Sequence, residues 1–151
     1  MSRGAVRAGT VALDQSAFGA LWGMFMDITA GETFGITTKR QVLAQIVVCN
    51  GCCCGRTDKG KPAIPVDWLK QTWKERRLQK HVQLTISGCL GPCDIVNVVS
   101  LVTSEGQRWF GGIKDAEPFR SLVEWAQATA ELGEAPELPA ELLQYEFRRF
   151  V

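Results

Sequence analysis

Histidine and tyrosine are almost missing: one of each stands in 151 residues. His81 begins a strand with no partner in the pattern, and no Ser-His-Asp set appears. No glycine loop of the phosphate-binding type is present, and no paired carboxylates suggest acid–base catalysis. Excess charge is missing too. Seventeen Lys and Arg oppose 16 Asp and Glu, a formal net charge of +1, so no global field argues for nucleic acid or a membrane surface. No apolar run approaches the roughly 18 residues a membrane span needs. At 46% hydrophobic and 22% charged, the chain has the composition of an ordinary soluble globular domain with room for one real core.

What it has instead is six cysteines, all between Cys49 and Cys93. They form two clusters, Val-Val-Cys49-Asn-Gly-Cys52-Cys53-Cys54-Gly-Arg56 and Ser87-Gly-Cys89-Leu-Gly-Pro-Cys93-Asp94. Small secreted folds spread their disulfides along the chain, and adjacent cysteines do not easily bridge each other. Clustering of this kind points to metal or redox chemistry in a reducing compartment, hence to the cytoplasm.

Residues 1–40 carry little pattern. Ala17–Met26 is a short apolar run below Arg3 and Arg7, which a signal peptide would also show. Asp14 and Asp27 flank it and no clean small-x-small cleavage site follows, which favours an accessory or poorly ordered leader over export. Beyond it, Val42–Val48 is continuous and β-branched at its end, as in a buried strand. Pro65 stands at or just before the start of a helix. There Val66, Leu69 and Trp73 share one face, and Lys70, Lys74 and Arg77 lie mostly on the other. His81–Ile86 alternates with period two, so Val82, Leu84 and Ile86 point one way. Asn97–Val102 and Gln107–Phe110 predict a hairpin about the turn Ser104-Glu-Gly106. A second helix is expected from about Ala116 to Leu132, with Gly133 capping it. The order β-α-β-β-β-α, opening on a right-handed βαβ crossover, outlines an α/β domain of thioredoxin-like fold. The expected organisation is a leader over 1–40, this domain over 41–133 and a tail over 134–151, which could form a short docking helix and shows no chemistry.

Each cysteine cluster follows a strand, so two strands deliver two loops of thiols to one place. Four thiolates suit a [2Fe–2S] cluster or zinc. Cys49, Cys89 and Cys93 are three of the candidate ligands. Cys52, Cys53 and Cys54 all compete to be the fourth, and spacing favours Cys54. A cluster of the Rieske type needs two histidines and is excluded. Backbone N–H groups of Gly51, Gly55, Gly88 and Gly91 are candidates to approach the sulfurs and offset their charge, because glycine puts no side chain in the way. Arg56, Lys59 and Lys61 follow as sources of positive potential, and Asp94 and Asn97 are expected to hydrogen-bond the loop backbone. A thioredoxin-type dithiol, Cys49-Asn-Gly-Cys52, is the further alternative. An active dithiol opens a helix directly, whereas Pro62 and Pro65 delay the helix here. Trp68, Trp73, Trp109 and Trp125 read as core or half-buried.

The pattern Cys-x4-Cys (Cys49, Cys54) followed by Cys-x3-Cys (Cys89, Cys93) resembles the thioredoxin-like [2Fe–2S] ferredoxins. Its spacing is similar to that of the small [2Fe–2S] subunit of respiratory NADH:quinone oxidoreductase. Ser87–Cys93 and Trp109-Phe-Gly-Gly112 resemble the same family over roughly residues 43–130. The run of extra cysteines is most similar to bacterial ferredoxin-domain proteins associated with cobalamin synthesis and cobalt chelatases. The resemblance implies a [2Fe–2S] one-electron carrier rather than an enzyme, serving a redox partner protein. Members of that family often dimerise, which makes a homodimer a further implication, although no residue pattern here demands one.

Overall fold

Ala44-Gln-Ile-Val-Val-Cys49 forms the central strand β1 because its alternate residues Ala44, Ile46 and Val48 are apolar enough to be buried completely. The computed structural model of the chain describes residues 38–151, so the expected leader lies outside the described residues apart from its last three positions. After β1 come α1 (Val66–Glu75), β2 (Val82–Ser87), β3 (Val99–Thr103), β4 (Gly106–Phe110), α2 (Glu117–Leu132) and a short α3 (Ala140–Leu143). The sheet order is β2-β1-β3-β4. β1 and β2 run parallel, while β3 and β4 are antiparallel to their neighbours. This is the thioredoxin-like arrangement expected from the element order.

The strand periodicity decides which face meets the helices. Ala44, Ile46, Val48, Val99, Leu101 and Phe110 share one core with Leu69 and Trp73 of α1 and Phe119, Leu122 and Ala126 of α2; Leu84 and Ile86 pack against it. Burying each large side chain there is worth about 2 kcal/mol. The Trp73 indole N–H donates to the Val82 carbonyl at 2.8 Å, tying α1 to β2. Helix α1 ends earlier than expected: Arg77 is left-handed (φ 54°) and a 3-10 turn, Leu78–Lys80, follows. The expected cap of α2 is present, with Gly133 left-handed (φ 75°) and its N–H on the Thr129 carbonyl. Trp68 departs from the core reading, being 38% exposed, because it follows Asp67 on the solvent side of α1. No helix among the described residues is long and apolar enough to cross a membrane.

Candidate metal centre

Parallel pairing is what assembles the site. In the β1–β2 register Cys49 lies beside Ser87, so the loops that follow both strands leave the same end of the sheet, where ligands of open α/β sheets usually bind. The Asn50 N–H carries the ladder one step further, to the Ser87 carbonyl at 3.0 Å. Strand β3 starts at this end, with the Cys49 N–H on the Val98 carbonyl at 2.9 Å, and β4 finishes there, the Gly112 N–H reaching the Val96 carbonyl at 2.7 Å. Both cysteine loops, the entry to β3 and the exit from β4 therefore meet in one place.

Asn97 holds them together. It is fully buried and takes a left-handed backbone (φ 54°), which asparagine tolerates better than most residues. Its Oδ1 accepts the Gly55 N–H at 2.9 Å. Its Nδ2 donates to the carbonyls of Pro62 (3.1 Å) and Ile113 (2.8 Å). The expectation that Asn97 bonds the loop backbone is met; Asp94, exposed, makes no such side-chain bond among those seen in the described residues.

The six free cysteines divide by burial. Cys49 and Cys54 are 4% and 2% exposed and pack with Val98 and Trp109 in a second apolar cluster, flanked by Leu90, Ile95 and Phe147. Cys89 and Cys93 are exposed, their sulfurs 3.2 Å apart. Cys52, Cys53 and Cys93 form a third association, their sulfurs within 4.8 Å of one another. The four expected ligands thus stand as a buried pair and an exposed pair, and the extra thiols gather on the exposed side.

The protonation pattern follows from this placement. Burial pushes the Cys49 thiol up to about 12, against the pull of a Leu90 N–H on its sulfur; Cys49 also bonds Cys54. Cys93 is pushed up to about 12, first by its hydrogen bond to Cys89. Cys89 is lowered by the same bond and by the Gly91 N–H. Soft metal ions bind thiolates, so loading this site releases protons.

Of the glycines expected to offer N–H groups to sulfur, Gly91 does so to Cys89. The Gly51 N–H instead bonds the Cys54 carbonyl at 3.0 Å, the Gly55 N–H bonds Asn97, and Gly88 is an exposed spacer between β2 and Cys89. Leu90 supplies an N–H that no side-chain pattern announces. Among the basic residues, the Lys59 ammonium donates to the Cys52 carbonyl at 3.3 Å. The Arg56 guanidinium reaches the Gly51 carbonyl at 3.4 Å while paired to Asp58.

The tail contributes the remaining wall. Glu146 pairs with Arg108 of β4 at 2.6 Å, and the Phe147 N–H bonds the Trp109 carbonyl at 2.9 Å. Arg149 lies 5.8 Å over the Trp109 ring and against Gly91, where a Cβ would stand 2.6 Å from its Nη2. Gly91 also has φ 113°, a conformation that excludes other residues.

No family model matches the chain, and no curated protein matches it. Among solved structures it is similar to the wild-type thioredoxin-like [2Fe–2S] ferredoxin from Aquifex aeolicus, at 18% identity over 72% of this chain and 100% of that one, with a TM-score of 0.40.

Proposed function

We propose that the chain is a [2Fe–2S] ferredoxin, a one-electron carrier whose ligands are Cys49, Cys54, Cys89 and Cys93. The observation that carries this reading is the pairing of a buried and an exposed dithiol on loops from adjacent parallel strands. The donor set fits the group: Cys49 and Cys54 are buried in one cluster, the Cys89 and Cys93 sulfurs lie 3.2 Å apart, the sulfur group that Cys93 joins with Cys52 and Cys53 includes no histidine or carboxylate among the described residues, and backbone N–H groups of Leu90 and Gly91 meet two of the sulfurs. A [2Fe–2S] cluster bound by those thiolates supplies a centre that gains and loses one electron. Cys49 and Cys54 anchor it on the protein side, within the wall made by Val98 and Trp109. Cys89 and Cys93 face solvent, which leaves that side open to a partner protein. The N–H groups of Leu90 and Gly91 offset sulfur charge, and Asn97 fixes the first loop against the second. The free thiols suit a reducing cytoplasm, and the partner class suggested by the sequence resemblance belongs to cobalamin synthesis.

Zinc in the same four thiolates is the second reading, favoured by the same all-sulfur donor set. A Cys49/Cys52 dithiol lacks its setting: Cys49 is buried in one cluster with Cys54, Cys52 lies with Cys53 and Cys93, and α1 starts only at Val66. Metal analysis of anaerobically purified protein tests the proposal. Iron and sulfide in equal amounts support it, and zinc without iron replaces it with a structural site.

A further inference from the structure

Two thiols, Cys52 and Cys53, are left over by that ligand set. Their Sγ atoms lie within 4.8 Å of each other and of the Cys93 Sγ. Cys52 and Cys93 are exposed and Cys53 is half-buried, so the group opens to solvent. The loop that presents it is braced: the Lys59 ammonium donates to the Cys52 carbonyl at 3.3 Å, Arg56 to the Gly51 carbonyl at 3.4 Å, and the Gly51 N–H closes the turn on Cys54 at 3.0 Å.

We propose that Cys52, Cys53 and Cys93 form an outer metal site for a thiophilic monovalent cation of the copper(I) class. Three sulfurs with no oxygen or imidazole donor among them reject hard ions such as calcium and magnesium. Structural zinc takes four protein ligands, whereas three thiolates are enough for a soft monovalent ion. Each thiol releases its proton to solvent as it ligates, and no electron is transferred. The three thiolates with one such cation carry two negative charges, opposed by Arg56 and Lys59. Cys93 belongs to both ligand sets, so copper(I) and the cluster compete for it. That competition rests on the ligand set proposed above; the outer site itself does not.

The test is anaerobic titration of the metal-free full chain with copper(I), read against a chelator of known copper(I) affinity. The first copper(I) equivalent should be held more tightly than any later one taken up by the remaining thiols. Loss of groups that merely orient metal ligands costs 10–100-fold in affinity, so Cys52→Ser/Cys53→Ser should weaken binding by more than about 100-fold. Cys93→Ser, also at an exposed position, should do the same, and Cys54→Ala should leave binding unchanged. Copper(I) held as tightly by C52S/C53S or by C93S as by the wild type overturns the outer site. In the competition arm, one copper(I) should block cluster reconstitution in the wild type but not in C52S/C53S. If C52S/C53S instead fails to take up iron and sulfide with no copper present, the triad belongs to the cluster's own ligands and the outer site falls. If no form of the chain takes up a cluster, the ferredoxin reading fails while the copper(I) titration still decides the outer site.

Discussion

At the scale of single residues, Asn97 carries the most structural consequence. Its amide serves three separate segments at once: the Gly55 turn, the Pro62 carbonyl and the Ile113 carbonyl. Removing it strands buried polar groups and puts a residue with Cβ but no local hydrogen-bonding side chain into a left-handed conformation. Asn97→Ala should cost about 3 kcal/mol of stability in urea denaturation of the metal-free chain, and metal loading should fall with it because the first cysteine loop loses its anchor. Equal urea midpoints for variant and wild type would contradict this role. Asn97 was legible in sequence as a loop-bonding residue because asparagine at the entry to a strand often plays that part. Its neighbour Asp94 has the same propensity and makes no such bond. Position relative to β3 separates the two, and residue type alone does not show it. The Leu90 N–H on the Cys49 sulfur was invisible for a related reason: every residue but proline has an N–H, and only the path of the backbone aims one.

At the scale of elements, the tail is the part that sequence reading took only as a short docking helix without chemistry. Nothing local marks Arg149. Its placement depends on Glu146 pairing with Arg108, 38 residues away in sequence, and on Phe147 packing beside Trp109 at 6.3 Å between centroids. Arg149 and Gly91 should therefore be energetically coupled. Gly91→Ala should destabilise the chain through both its φ of 113° and the contact with Arg149. In an Arg149→Ala background the contact part disappears; because Nη2 is the end of a flexible side chain that can swing aside, the coupling energy in a double-mutant cycle should lie at the low end, about 0.5 kcal/mol; strictly additive effects would show that the tail does not rest on this loop. The Arg108–Glu146 pair gives the tail a pH dependence. Arg108 holds the Glu146 carboxyl below its ordinary value of 4.5. The pair's contribution is then complete above 4.5 and is lost as pH falls through the lower folded-state value. The pair is partly exposed, so Glu146→Gln should cost under about 1 kcal/mol at neutral pH. The gap between the urea midpoints of variant and wild type should close on acidification below 4.5, and a gap that widened there would contradict the pairing.

At the scale of the whole molecule, the site follows from strand direction. Two parallel strands end side by side, two antiparallel ones begin and end at the same edge, and every cysteine lies at that edge, Cys49 as the last residue of β1 and the others on the loops beyond. This much was readable from the sequence, because β-branched runs mark β1 and β2 and the hairpin turn fixes β3 and β4. The early end of α1 was not, since the left-handed Arg77 interrupts a helical pattern that continues to Leu78. Nor was the sorting of the six sulfurs, which depends on loop path rather than spacing: Cys54 turns inward to Cys49, while Cys52 and Cys53 turn outward to Cys93. The inward pair is why Cys54 rather than its neighbours completes the proposed ligand set with Cys89 and Cys93. Cys89→Ser, at an exposed position, should abolish iron–sulfur loading while leaving the fold intact by far-ultraviolet circular dichroism.

The most direct measurement is the visible absorption spectrum of anaerobically purified full chain, with iron, sulfide and zinc determined on the same sample. A brown protein with about two irons and two sulfides per chain, bleached by dithionite, is the predicted result. A colourless protein that holds zinc, or that stays metal-free after cluster reconstitution, would contradict it.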